Sequence, residues 1–361
     1  GGGCLLRLAA SLSPSSLPHS LSRAGRPMRV VITGGGGFLG QMLGRAVLSR
    51  GVLASHGARG TVERQLAVEE LVLVDVVRPA TLLCDELAQK AQFVQGDLSD
   101  PALSKQLLSG ADGGLSVFHL GAVMSGQGEA DFDLAMRVNL HGTMSLLEAA
   151  RNSGAPRPRF VMASAGATLG AGAPTDFVSK DDTVSDATRA TPHTTYGMTK
   201  ACAELLLSDY SRRGFLDGRG VRLPTVVVRA GAPNGATTGA FSAVVREALA
   251  GREAVLPIGR DVSHAVTSHR TAVESLLRMH ELPVQEIDRV LGYDRTVFVP
   301  SIALSLGELE TVTREVIHPA CRDKLGKIRF EEDAALSAAV GSFPKSVNAS
   351  RALELGLPQD P

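Results

Sequence analysis

The chain lacks a net charge. Its 37 basic residues balance 37 acidic ones across 361 positions, which removes the attraction that nucleic acid or an anionic membrane would require. Its partners are therefore expected among small molecules. Cysteine is scarce: Cys4, Cys84, Cys202 and Cys321 show neither a C-x-x-C nor any metal-ligand spacing, which excludes a disulfide framework or a zinc site and fits a reducing compartment. Nine histidines form no H-E-x-x-H arrangement. His119, His264 and His269 are read as packing or hydrogen-bonding groups, and no metal is expected. No repeat period is evident, and no apolar run approaches the ~20 residues a membrane-spanning helix needs. Acidic residues are missing from the start, since none precedes Glu63. Residues 1–27 instead mix Ser11, Ser13, Ser15, Ser16, Ser20 and Ser22 with Arg7, Arg23 and Arg26, the composition of an organelle transit segment. Met28 abuts the first strand and offers the other reading, a disordered or mistranslated extension before a cytoplasmic protein.

What the chain has in abundance is glycine at one place. Met28 to Thr33 reads as a β-branched strand that runs into Gly34, Gly35, Gly36 and Gly37 and then into Phe38, Leu39 and Gly40. Glycines at 34, 37 and 40 fit the T-G-x-x-G-x-x-G spacing, in which one makes the turn, one admits a pyrophosphate and one lets helix and strand pack closely. The following helix, carrying Met42, Leu43, Ala46 and Val47, aims free N–H groups and a positive dipole end at phosphate. The loop is a dinucleotide-phosphate cradle.

Beyond the cradle, a helix over 38–50 leads into a polar excursion over 51–69. Strand-like runs follow at 71–75, 93–94, 117–120, 159–162 and 225–228, separated by helical patterns. Met136, Leu140, Thr143, Leu147 and Ala150 mark one stripe of an amphipathic helix. This alternation predicts a Rossmann-like, doubly wound parallel sheet of the α/β class with right-handed crossovers. Past residue 230 the alternation loosens. The expected organisation is a leader over 1–27, a dinucleotide-binding domain over 28–229, and a smaller α+β substrate-binding lobe over 230–361. That lobe, with a helix around Val273 to His280 and a helical tail near 349–355, would close over the carboxyl ends of the strands.

Asp75 ends the second of these strands, where a carboxylate can hydrogen-bond ribose hydroxyls and repel a 2′-phosphate. NAD is thus expected over NADP, although Arg78 nearby offers a cation to the latter. Asp97, in Gly96-Asp97-Leu98 after the third strand, either adds a carboxylate beside the adenine or caps the next helix. The catalytic signal is Tyr196-Gly197-Met198-Thr199-Lys200. Residues four apart share a helix face, and a neighbouring ammonium lowers a phenol from ~10 toward a range where it exchanges a proton near neutrality. Of three tyrosines, only Tyr196 has lysine at the fourth following position.

At this point the chain resembles the extended short-chain dehydrogenase/reductase family, the NAD-dependent epimerases and dehydratases. The matching elements are Thr33 to Gly40, Asp75, Asp97, His119-Leu120-Gly121-Ala122, Asn139 to Thr143, and Tyr196 to Lys200. Segments 125–132, 205–224, Pro233-Asn234 and 349–353 are similar to its sugar-acid dehydrogenases. The resemblance implies NAD held by Gly34, Gly37, Phe38, Leu39, Gly40, Asp75, Asp97, Leu98, Leu120, Gly121, Ala122, Tyr196 and Lys200. It further implies oxidation of the C2 hydroxyl of a D-erythronate-like sugar acid to the 2-oxo acid. Tyr196 would take the alcohol proton, and Asn139 would sustain a water path that refills Lys200 or else bond backbone. Ser125, Asn234 and Arg270 are the substrate-side candidates. Family members pair the helices matching 136–150 and 196–212 across a four-helix interface, so a homodimer is implied.

Two positions depart from the family pattern. The third catalytic hydroxyl should stand at 165, where this chain has Ala165. Ser164 is one residue early, so either a shifted turn presents it to hold the alcohol oxygen, or Thr168 or a water substitutes. Ser263 replaces an arginine expected before His264, which leaves anion recognition to Arg270. Two other readings compete with the dehydrogenase: a nucleotide-sugar epimerase with tightly bound NAD, and a non-catalytic NAD-binding protein. A dehydratase would need an Asp-Glu pair that Ala165-Gly166 does not supply.

Overall fold

Alternate residues of the central strands bury into opposite faces of one sheet, and this decides the architecture. The computed structural model describes residues 28–56, 63–80, 82, 84–111, 113–170, 178–229 and 237–361. The leader over 1–27 and Asn234 lie outside them. The first half of the chain runs β1 (Met28–Thr33), α1 (Phe38–Arg50), β2 (Val52–His56), β3 (Glu63–Asp75), α2 (Asp85–Lys90), β4 (Ala91–Gln95), α3 (Pro101–Leu108) and β5 (Leu115–His119). It continues through α4 (Ser125–Ala130), α5 (Phe132–Ala135), a π-helical turn over Met136–His141, α6 (Gly142–Arg151) and β6 (Arg159–Ala165). Val30, Ile32, Leu71, Leu73 and Phe118 join one buried cluster with α1, while Val31, Val72, Val74, Val117 and Phe160 join the other with α3 and α6. Successive strand side chains point to opposite faces, so a strand that is apolar throughout must be covered on both sides.

Next come β7 (Thr183–Ser185), α7 (Thr195–Arg212), β8 (Asp217–Leu223), β9 (Thr225–Val227), α8 (Ala240–Leu249), β10 (Ala254–Leu256), β11 (Ser263–Ser268) and α9 (His269–Glu281). The chain closes with α10 (Val284–Val290), β12 (Thr296–Phe298), β13 (Ile302–Ser305), α11 (Leu306–Val316), β14 (Ile328–Phe330), α12 (Ala334–Gly341), β15 (Ser346–Asn348) and α13 (Ser350–Glu354). The main sheet has the order β12-β8-β6-β5-β1-β3, with β4 parallel to the second half of β3 and β2 antiparallel to its first half. The doubly wound parallel sheet read from the sequence is therefore present.

Three expectations need correction. Among the described residues of the polar excursion over 51–69, residues 52–56 and 63–69 lie in a pair of strands, because Leu53 and Ala54 of β2 bury while Leu66 and Val68 of β3 pack on the core. The strand-like run at 225–228 is not in the main sheet: β8 is the strand beside β6, and β9 leaves for a small sheet with β11 and β13. Periodicity missed β8 because Asp217, Arg219 and Arg222 sit in it, yet all three are buried. Asp217 accepts from His56, Arg159 and Arg219 at 2.9, 3.2 and 2.7 Å. Burial opposes its ionisation, but the guanidiniums of Arg219 and Arg159 and the bond from His56 hold its carboxyl well below the usual range. Third, the division at residue 230 is not clean. β12 completes the main sheet, and Leu276, Leu277 and Ala352 of α9 and α13 fill its core. Phe241, Val244, Leu256, Ile258, Val266 and Leu306 form a separate small core.

Candidate active site

β1 delivers its last residue to a turn that only glycine can make. Gly34 has φ +70°, and a Cβ there would lie 2.8 Å from the Gly121 nitrogen; one at Gly40 would lie 2.2 Å from the Gly34 oxygen. Gly37 stands at the N-cap of α1 and supplies no side-chain acceptor. The leading N–H groups of the helix, from Phe38 and Leu39 onward, thus have no capping side chain, which is the condition for receiving phosphate. Asp75 closes β3 beside this turn. Its two oxygens accept from Gly36 N at 3.1 Å and Val76 N at 2.8 Å. A dinucleotide fits this donor set: a bare helix end for pyrophosphate and a carboxylate for ribose.

Arg78, the cation offered to a 2′-phosphate, donates to the Phe93 carbonyl at 3.1 Å and lies over that ring. Asp97 accepts from Ser99 N at 2.8 Å, and the cap of α3 is Asp100. Leu98 is buried against Gly121. At the end of β5, Leu120 N donates to the Thr33 carbonyl at 3.1 Å, which sets Leu120, Gly121 and Ala122 beside the glycine turn.

A buried relay holds these loops together. Gly121 N donates to Thr33 Oγ1 at 3.2 Å, Thr33 Oγ1 meets His119 Nδ1 at 2.7 Å, and His119 Nε2 meets Thr143 Oγ1 at 2.8 Å. Thr143 spends its only hydroxyl hydrogen on the Asn139 carbonyl at 2.6 Å. It must therefore accept from Nε2–H, which leaves Nδ1 to accept from Thr33. Burial, helped by Lys200, lowers His119 to about 3, so the ring stays neutral. Asn139 lies on the π-helical turn, a feature concentrated at functional sites. Its carboxamide accepts from Val123 N at 2.7 Å and donates to Val123 O at 3.0 Å. Of the two roles weighed for Asn139, backbone bonding is the one the geometry displays.

α7 starts under two clamps. Thr194 accepts from Gly197 N at 3.0 Å, and Glu129 accepts from Thr195 N at 2.7 Å, which pins α4, opened by Ser125, to the first turn of α7. Lys200 Nζ lies 5.8 Å from the Tyr196 ring centroid and donates to the Ala163 carbonyl at 2.8 Å. Burial lowers Lys200 to about 8, opposed by Glu204. Burial raises Tyr196 to about 12, and the cation opposing it is Arg229. The ammonium of Lys200 is thus engaged with β6, and burial is the largest influence on the phenol.

Ser164 is also corrected. Its hydroxyl donates to Glu204 at 2.5 Å, and Glu204 accepts from Arg222 at 2.9 and 2.7 Å, all three side chains buried. Ala165 alternates to the opposite face of the strand. Thr168, the other substitute, donates to the Ala165 carbonyl at 3.0 Å. Arg270 is exposed in the first turn of α9, next to His269, whose ring meets Phe38 edge-on at 5.3 Å. His264 contacts Thr225 Oγ1 and the Ala265 carbonyl, each at 3.1 Å. Sequence reading had Thr33 only as the first residue of the cradle motif, and it assigned no role to Glu129, Glu204 or Arg229. Only Glu204 carried a signal, being one turn beyond Lys200 on the same helix face.

Several known proteins are similar to this chain. A D-erythronate dehydrogenase of Cupriavidus necator is 41% identical over 333 residues, 92% of this chain and 94% of the relative. A D-erythronate dehydrogenase of Haemophilus influenzae is 32% identical over 92% of this chain and 95% of its own length. Among solved structures, a nucleoside-diphosphate-sugar epimerase from Agrobacterium tumefaciens matches with TM-score 0.75 and 34% identity, covering 92% of this chain and 90% of that one. Residues 30–275 match the NAD dependent epimerase/dehydratase family. With that match spanning the cradle, Asp75 and the Tyr196–Lys200 helix, the chain belongs to the NAD dependent epimerase/dehydratase family and is an NAD-linked oxidoreductase.

Proposed function

We propose that this protein oxidises the C2 hydroxyl of a small sugar acid of the D-erythronate type to the 2-oxo acid. The observation that carries the reading is Tyr196 and Lys200 on one face of α7, in a chain whose α1 begins at an uncapped, glycine-built end. NAD, when bound, accepts the hydride. Tyr196 takes the alcohol proton as phenolate, the form that Arg229 favours against burial, one helix turn from the Lys200 ammonium. Lys200, held at the Ala163 carbonyl, supports the ribose side. Ser125, Arg270 and the lobe formed after residue 230 face the substrate in this reading, Asn234 stays a candidate outside the described residues, and Arg229 adds a cation for the substrate's carboxylate. Exposed Phe132, Met144 and Leu205 on α5, α6 and α7 support pairing as a homodimer.

A second reading, epimerisation of a nucleotide sugar with retained NAD, is favoured by the 34% identical epimerase structure. An NADH-absorbance screen against D-erythronate, related sugar acids and UDP-sugars separates the two. NADH formed from a free acid supports the dehydrogenase; sugar interconversion without net NADH, on protein that keeps NAD through purification, replaces it. Silence on all substrates favours a binding protein.

A further inference from the structure

A cleft of about 820 Å³ opens far from the cradle, lined among others by Arg157, Ser208, Arg212, Asp288, Tyr293 and Arg295. Its position follows from the chain. Arg157 immediately precedes the entry to β6, Arg212 ends the helix that leads into β8, and Tyr293 and Arg295 precede β12. These strands run parallel, so the cleft sits at their amino ends, whereas Asp75, Gly34 and Ala165 stand at carboxyl ends. It is a second location, distinct from the place where open α/β sheets usually bind ligands.

Three guanidiniums line this cleft. Arg295 is met by Asp288 at 2.5 Å and Asp217 at 3.3 Å, and Arg212 by Asp209 at 2.6 Å, which leaves Arg157 as the lining guanidinium without a carboxylate partner among the described residues. Arg295 is itself buried and further bonded to Gly218 O and Asp217, so it forms a rigid floor whose charge is already matched. Arg157 differs from it: its Nε is buried and has no hydrogen-bond partner. It also holds φ +51°, the one positive φ among the described non-glycine residues. Such a backbone persists where surroundings impose it. Arg212 brings a second, half-exposed guanidinium anchored by Asp209 at 2.6 Å, and Tyr293 presents an exposed phenol. Guanidiniums read oxyanions through paired N–H donors, and the volume suits a metabolite rather than a lone ion.

We infer that the Arg157–Arg212–Tyr293 cleft binds a small multivalent oxyanion, a phosphate ester or a polycarboxylate. The test is calorimetric titration of the full chain, saturated with NAD and at low salt, with inorganic pyrophosphate in one arm and citrate in the other. Saturable binding is expected in at least one arm, which then identifies the source. R157G relaxes the backbone, and R157N is the alternative should it fold poorly; either is expected to weaken that binding about tenfold or more. R212Q should weaken it less, with the melting temperature and NAD affinity retained in each variant. No saturable binding in either arm, equal affinity in the Arg157 variants, or binding seen only in a parallel titration without NAD would each overturn the site. The last outcome would place the anion in the coenzyme cradle instead.

Discussion

The hydroxyl of Ser164 donates to the carboxylate of Glu204 across 2.5 Å, and its strand neighbour Ala163 accepts from Lys200 at 2.8 Å. Adjacent residues of β6 are thus clasped by two side chains one turn apart on α7. The clasp fixes the helix that carries Tyr196, and it uses up the hydroxyl that stands one residue before position 165, where the family pattern places the catalytic one.

Ser164→Ala is expected to cost about 1–3 kcal/mol of stability, because a buried acceptor loses its donor. Its kcat/KM should stay within about tenfold of the parent, short of the ~10²–10³ loss that follows removal of a transition-state donor. Ala165→Ser should raise kcat/KM. Denaturant melts and steady-state rates on the two variants decide the matter, and a collapse in rate for the first would return Ser164 to the reacting centre.

Tyr196→Phe should lower kcat/KM by ~10²–10⁴, the usual worth of positioned proton transfer, while NAD affinity is unchanged. Lys200→Met should weaken both. Turnover of the phenylalanine variant at the parent rate would end the proposed mechanism.

Asp75→Ala should weaken NAD about tenfold by removing a charged acceptor and narrow its preference over NADP. Arg78→Ala should leave NADP affinity unaltered, since that guanidinium is spent on Phe93. Fluorescence titration with each coenzyme reads both effects.

Burial keeps two imidazoles neutral, lowering His119 to about 3 and His280 to about 4. In the unfolded chain both bind protons near ~6.5. As pH falls below that value the unfolded state gains protons that the folded state refuses, so stability drops. The expected slope is about 1.4 kcal/mol per pH unit for each such group, continuing down toward pH ~4. Urea melts from pH 7 to 4 on the parent and on His280→Gln test it; equal slopes would refute the assignment.

Asp217→Asn should destabilise by about 3–5 kcal/mol, because Arg159 and Arg219 would remain buried without their shared countercharge. Thermal and chemical melts measure this directly, and a neutral result would mean that Glu63 and the surrounding carbonyls suffice.

Much of the fold was legible from residues 28 to 165. There, strands such as Leu71 to Val74 are apolar on both faces, and the glycine turn announces itself by spacing. Legibility failed at β8, where Asp217 and Arg219 look like surface residues until their partners in β2, β3 and β6 are known. It failed again at Ser164, since a shift of one residue along a strand moves a side chain to the other face. Asn234 lies outside the described residues, and Arg270 was legible as a matched position but not as the exposed residue it is.

By itself the sequence determined the phosphate cradle, the carboxylate at the end of β3 and the pairing of Tyr196 with Lys200. Each of these depends on local spacing along one turn, strand or helix, which chain geometry alone dictates. Only the tertiary structure decided where Ser164 spends its proton, which cation stands against the Tyr196 phenol, and how His119 ties Thr33 to Asn139. Those are contacts between segments distant in sequence, and their energies are set by burial and by partners that no local pattern encodes.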